Sequence, residues 1–191
     1  MSILQSSPAT EPQGKRYYGK YRGLVIENVD PMLMGRVLAQ VPDVLGEIPS
    51  SWCMPCVPAA GIQSGMFIVP PLGSQVWIEF EQGNPDYPIW VGGFWGLPTD
   101  IPILATVPPP VLPPVIGQNI CIQTPGQNTV LISDSVPTPI TGGIVLKSTS
   151  GAMIVCNDTG IYLSAGPGLA SIWLVGPAIM MNETALTIVG P

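Results

Sequence analysis

The chain contains no histidine. That single absence removes Ser-His-Asp and Cys-His catalysis, histidine general bases and histidine metal ligands. Charge is scarce as well: Asp, Glu, Lys and Arg make up 9% of the 191 residues, against about 25% in an ordinary soluble domain. Lys and Arg number 6 against 12 acids, a formal net charge of −6. A chain so poor in cations lacks the basic face that phosphate contacts demand, so nucleic acid is not an expected partner. Long hydrophobic runs are missing too. The longest largely apolar stretch, Leu169 to Met181, has 13 residues and is interrupted by Gly176-Pro177, whereas a membrane-spanning helix needs about 20. The first 18 residues are polar and contain no apolar core of a secretory signal, so assembly in the cytoplasm is expected. No segment repeats with a helical period.

What is present is apolar and punctuated. Hydrophobic residues reach 46%, with 24 Pro and 22 Gly, which separates the chain from disordered sequences rich in charge. Four cysteines occur, at 53, 56, 121 and 156. Cys53-Met-Pro-Cys56 has the CxxC spacing of zinc and redox sites. Zinc needs two further ligands, which only Cys121 and Cys156 could supply. A thioredoxin-type pair needs a helix N-terminus, and nothing here reads as that helix. All four are therefore expected to be reduced, buried and structural.

Charge is also unevenly placed. Lys15, Arg16, Lys20, Arg22 and Arg36 all precede residue 97, and Lys147 is the only cation after it, beside four acids. The second half needs to hide its surface in an assembly or to show Ser, Thr, Asn and Gly to water. Between the halves, Pro98, Pro102, Pro108, Pro109, Pro110, Pro113 and Pro114 lie within 97–117. Proline fixes φ and donates no hydrogen bond, so this segment is expected to be an extended, semi-rigid linker. Residues 1–16 read as a flexible arm.

Residues 17–96 read as short strands separated by turns. Candidate strands are Tyr21 to Val29, Gly35 to Val41, Trp52 to Val57, Gln75 to Glu81 and Tyr87 to Phe94. In the fourth, Val76, Ile78 and Phe80 share one face. Five strands in so short a span suit an OB-fold barrel. Residues 118–191 carry very short alternating pairs, Ile120/Ile122, Val130/Ile132, Ile144/Leu146, Ile161/Leu163, Ile172/Leu174, Ile179/Met181 and Leu186/Ile188, split by turn residues. Such strands cannot bury enough apolar surface alone. Stacked on each other and on sister chains, they can form a β-helix. The fold class expected is all-β, an N-terminal OB-fold barrel followed by an intertwined trimeric β-helix.

Candidate chemistry is thin. Glu79 and Glu81 share a strand face near Asp86, but a solvated strand edge is the plainer reading. Asp134, Asp158 and Glu183 sit alone in turns, and Asn157-Asp158-Thr159-Gly160 is turn chemistry. Gly92-Gly93 and Gly142-Gly143 precede no helix, so neither cradles phosphate. Trp77, Trp90 and Trp95 are expected to pack in a core or interface. No catalytic, cofactor or metal constellation emerges, and the chain is not expected to be an enzyme.

The segments Met34-Gly-Arg-Val-Leu-Ala-Gln-Val-Pro-Asp43, Trp52 through Pro55-Cys56-Val57-Pro58-Ala-Ala-Gly61, and Phe67 through Gly83-Asn84-Pro85-Asp86 to Gly92 together resemble the baseplate spike family of contractile tails. That family includes phage baseplate assembly protein V, central spikes of contractile phages and the VgrG-type spikes of type VI secretion. The pieces Gly142 to Ser148, Asn157 to Leu163 and Gly176 to Ile188 resemble the β-helical needle of such spikes. No muramidase fits in the proline-rich gap, and without histidine this chain cannot copy the histidine-bound iron tip of some short spikes.

The resemblance implies a homotrimeric, membrane-piercing needle of a contractile injection system or phage-like tail. It would be assembled in the bacterial cytoplasm and delivered through a target envelope, with transient membrane contact. Backbone ladders would run between chains. Ile144, Leu146, Ile161, Leu163, Ile172, Leu174, Ile179, Met181, Leu186 and Ile188 are the expected trimer core. Leu186, Ile188 and Val189 would dock a PAAR-like tip protein. Because the chain starts almost at the barrel, a separate hub protein is implied. The rival readings are an OB-fold module for cell-surface glycan with a fibrous tail, which needs an exposed aromatic-basic groove, and a cell-wall hydrolase, which needs an acid/base pair.

Overall fold

A computed structural model of the chain describes residues 14–106, 119–134, 143–182 and 185–189, the side chains of Thr106, Thr187 and Val189 excepted. The chain divides after Gly96 into two compact units. Most of the expected arm, and linker positions 107–117, lie outside the described residues.

The first unit contains strands β1 (Tyr21–Glu27) and β2 (Leu38–Gln40), a one-turn helix α1 (Pro42–Leu45), and strands β3 (Met54–Pro55), β4 (Ala60–Gly61), β5 (Ser64–Gly65), β6 (Gln75–Phe80) and β7 (Pro88–Phe94). Five of the strands form a curled sheet in the order β2-β1-β6-β7-β3, while β4 and β5 make a separate small hairpin. An antiparallel bridge between Val37 and Cys53 joins the two sheet edges, which removes free edges as barrel closure does. Curling has two local causes. The register between β6 and β7 slips after Trp77, a bulge that sharpens twist. Gly23 lies where a Cβ would stand 2.8 Å from the Ile78 side chain, so only glycine allows β1 this close to the core.

Alternation in β6 buries Val76, Ile78 and Phe80, which pack with Val25, Val37, Ala39, Val41, Cys53 and Trp90. The Trp90 indole N–H donates to the Gly35 carbonyl over 3.2 Å, so the ring is buried without an orphaned donor. Trp77 lies half-buried on the other face against Phe94. Trp95 follows β7 and is exposed in the single chain, so it is not part of the barrel core. The expected strand around residues 52–57 is only two residues long, because prolines at 55 and 58 limit its ladder.

The second unit begins differently from the expected extended linker. A 3-10 turn covers Pro98–Asp100 and a helical turn, α2, covers Ile103–Thr106. Proline is compatible with a helix start, where its missing N–H costs nothing. Pro98 occupies such a position, and Pro102 directly precedes α2.

Eight strands follow: β8 (Asn119–Gln123), β9 (Thr129–Ser133), β10 (Gly143–Lys147), β11 (Met153–Asn157), β12 (Gly160–Ser164), β13 (Ser171–Val175), β14 (Ala178–Met181) and β15 (Leu186–Val189). They pair in strict sequence order, each antiparallel to the next, in one open sheet. Where the sequence reading places backbone ladders between chains, these strands bond within one chain. Short turns make the neighbouring strand the cheapest partner in loop entropy. At one such turn, Thr159 donates its N–H and hydroxyl to the Asn157 side chain. Close approach of strands recurs at Gly143, the first residue of β10, whose φ is +80° and whose added Cβ would lie 2.2 Å from the Cys156 carbonyl oxygen.

Candidate functional site

Each strand of the second unit sends its odd and even residues to opposite faces, and the two faces differ sharply. One carries a central line of Cys121, Leu131, Val145, Val155, Tyr162 and Trp173. Leu131, Val145 and Val155 are fully buried, and Leu104 of α2 packs into the same cluster. Tyr162 and Trp173 meet edge to face, with ring centroids 5.8 Å apart. The flanks of this line mix polar residues, Thr129, Ser133, Lys147, Asn157 and Ser164, with Met153 and Val175, which pack against the cluster.

The other face is apolar and open. Cross-strand pairing arranges it into two rows. The first runs Ile120, Ile132, Ile144, Cys156, Ile161, Leu174, Ile179 and Ile188. The second runs Ile122, Val130, Leu146, Ile154, Leu163, Ile172, Met181 and Leu186. Apart from the exposed Cys156, exposure in these rows ranges from 36% at Leu163 to 63% at Ile120. Isolated exposed apolar residues are ordinary. A contiguous sheet face of them marks an interaction surface.

All ten residues expected to form a trimer core fall on this face, in β10 and the four adjoining strands β12 to β15. Leu186 and Ile188, expected to dock a tip protein, lie on it as well, in the edge strand β15; the Val189 side chain lies outside the described ones. The sequence reading saw Ile120, Ile122, Val130 and Ile132 as alternating pairs without assigning them to the core. It missed Ile154 and Cys156 altogether, because Ala152 to Val155 is an unbroken apolar run that hides the alternation of β11.

The barrel has its own polar anchor, which the sequence did not reveal. The Asp30 carboxylate accepts backbone N–H bonds from Met32 (2.9 Å), Met34 (2.8 Å) and Arg36 (3.2 Å), and takes the Arg36 guanidinium at 2.6 Å. Its side chain is 2% exposed. The Arg36 guanidinium first, then the backbone donors, hold its carboxyl well below the usual carboxylate range, against the opposing effect of burial. This brace fixes a loop that presents Met32 and Leu33 to solvent, Leu33 with φ of +56°. Beside it, Met34, Met54, Met66, Phe67 and Ile68 line a groove without a charged residue.

The remaining candidates keep plain roles. Glu79 pairs with Lys20, and Glu81 and Asp86 are exposed. Arg22 stacks over Trp77 and Phe94, 5.5 and 5.1 Å from their centroids, and this cluster is what a glycan-binding reading would rest on. Glu183 and Gly142 lie outside the described residues. No group of three or more potential metal-ligating residues forms among the described residues, nor is any described helix long and apolar enough to cross a membrane. Of the cysteines expected to be buried, Cys53 is, Cys121 is half-buried, and Cys56 and Cys156 are exposed. Cys156 is exposed because it points out of the open face.

Comparison with known families bears on both units. Residues 21–95 match the type VI secretion system/phage-baseplate injector OB domain. Residues 119–187 match the phage baseplate V C-terminal trimerisation domain. No curated protein matches the chain.

Proposed function

Because the chain belongs to the baseplate spike family of contractile tails, we propose that it forms the trimeric central spike of a contractile injection apparatus, with a mechanical role. The chain is a structural baseplate protein. Its second unit supplies trimerisation, and its first unit is an OB domain. The observation that carries the finer reading is the open apolar face of the eight-stranded sheet, which lies within the residues matched to the trimerisation domain.

Three copies that close these faces around a shared axis remove the surface a single copy cannot afford to expose. Apolar burial contributes ~25 cal/mol per Å2, and obligate interfaces, the class proposed here, bury about 2,000–5,000 Å2. The result is a shaft stiff enough to transmit sheath contraction and breach an envelope. The proposed core is the set from Ile144 to Ile188 named above. Leu186, Ile188 and Val189 at the free edge strand would dock a PAAR-like tip. A separate hub protein would seat on the barrel, where the uncharged groove beside the Asp30 loop offers an apolar surface. Low charge supports this use, since few ions would need partners when the faces close.

Sedimentation of the full chain tests the reading. The expected result is one species of three times the chain mass that resists dissociation in mild detergent. A monomer at micromolar concentration overturns it.

A further inference from the structure

The two apolar rows of the open face are not equivalent. Seven of the eight residues in the second row, from Ile122 through Leu163 to Met181, line one continuous groove, and no residue of the first row does. Polar residues rim the groove, among them Asn128, Ser148, Ser171 and Asn182, as they rim protein interfaces generally. The rows also differ in side-chain type. The first is mainly isoleucine, broken only by Cys156 and Leu174. The second mixes Leu, Met, Ile and Val. β-branched side chains are stiff at χ1 and dominate the first row, whereas half of the second row is Leu or Met, and Met181 adapts to what it meets. One row is built as a ridge and the other as its seat.

A threefold ring imposes a matching requirement. A twofold interface uses the same patch on both partners. A cyclic trimer is heterologous: each copy meets the next with one surface and the previous with another. A strip two apolar residues wide supplies two such surfaces on a single face.

Resting on the trimeric reading above, we propose that the isoleucine row of each copy seats in the groove row of the next, three times around the axis. Cross-strand bonds hold each side together, and this ridge-in-groove contact holds the sides to one another. The groove is thus a binding site for a second copy of this chain, and it fixes the direction in which the ring closes.

Native Cys156 places a thiol in the ridge row, which makes the contact testable in the full-length chain. In a Cys56→Ser, Cys121→Ser background, one groove residue at a time is changed: Leu146→Cys, Ile154→Cys or Leu163→Cys. Each variant is first confirmed trimeric by sedimentation, then mildly oxidised and run on a non-reducing denaturing gel. A disulfide needs Cα atoms about 4.4–6.8 Å apart, so at least one position should match. The expected product is a closed covalent trimer that disappears when Cys156→Ala is added. Cys156 alone can link at most two of three copies.

Dimer bands only, or no linkage from any of the three variants while the mass stays trimeric, overturn the ridge-in-groove contact and leave the trimer standing. A monomeric parent chain overturns the trimeric reading itself. Where a cysteine variant fails to fold, photo-methionine incorporated into the otherwise native chain replaces it. Met181 in the groove should then cross-link, at residue level, to ridge-row residues of a differently isotope-labelled copy. Cross-links from Met181 only to groove-row residues reject the proposal.

Discussion

Asp30 is the most heavily committed polar side chain of the barrel, and its consequences are visible in pH. Its folded-state carboxyl sits well below the usual carboxylate range because the Arg36 guanidinium and three backbone N–H groups favour the anion. In the unfolded chain it titrates near pH 4. The stabilisation is therefore complete above about pH 4 and is lost as pH falls below it. Urea midpoints measured at pH 7 and pH 3 should show a clear acid loss in the native chain and a smaller one in Asp30→Asn. That variant should also melt several degrees lower at pH 7, with the second unit's self-association unchanged. Equal pH slopes in the two proteins would remove Asp30 as the cause. Cys53 makes the opposite case. Burial pushes its thiol up to about 11, so the neutral thiol stabilises the fold below the ordinary thiol range near pH 8.5. That contribution fades as pH rises toward 11. At pH 8 a thiol reagent should modify exposed Cys56 rapidly and reach Cys53 only on unfolding.

At the level of elements, the second unit depends on close strand approach that only glycine allows. Gly143 opens β10 with φ of +80°, and a Cβ there would meet the Cys156 carbonyl oxygen and Asn157. Gly143→Ala should cost more than about 1 kcal/mol and loosen the β10–β11 pairing. Hydrogen exchange at Val145 and Val155, both fully buried, would report it; unchanged protection there would show that the start of β10 tolerates the side chain. Legibility of the elements followed pattern strength. Gln75–Phe80 was readable because clean alternation ends at a turn, and the result was the barrel's central strand. The pairs Ile161/Leu163 and Ile172/Leu174 were readable for the same reason. β11 was not, since its apolar run erases period two. The turns at 98–106 were misjudged because proline counts against a helix interior yet favours a helix start. The Asp30–Arg36 brace follows no motif; two residues six apart meet only because the loop folds back, which no local period encodes. The expectation that all four cysteines are buried does not hold for Cys56 and Cys156 in the single chain, since which face of a strand is covered depends on partners beyond that strand.

For the molecule as a whole, scarcity of charge and the open face have one explanation. Lys147 is the only cation beyond residue 97, and the two apolar rows of the open face carry no charge. A charge placed there should act on assembly rather than on the sheet. Leu163 sits mid-row, between Ile154 and Ile172 of the adjoining strands. Leu163→Glu leaves the backbone ladder intact, but closing the trimer would then bury three unpaired carboxylates around one axis. Each costs at least about 2 kcal/mol to desolvate, and their mutual repulsion adds to it. The variant should sediment as a monomer at neutral pH and recover part of its trimer near pH 4, where glutamate is neutralised. Asp158→Lys, a charge change in an exposed turn off that face, should remain trimeric. Cys156 offers an internal readout of the same event: its thiol should be slow to label in the native assembly and fast in Leu163→Glu. Fast labelling of Cys156 in an intact trimer would mean that the copies associate through some other surface, because a closed open face leaves that thiol no path to solvent.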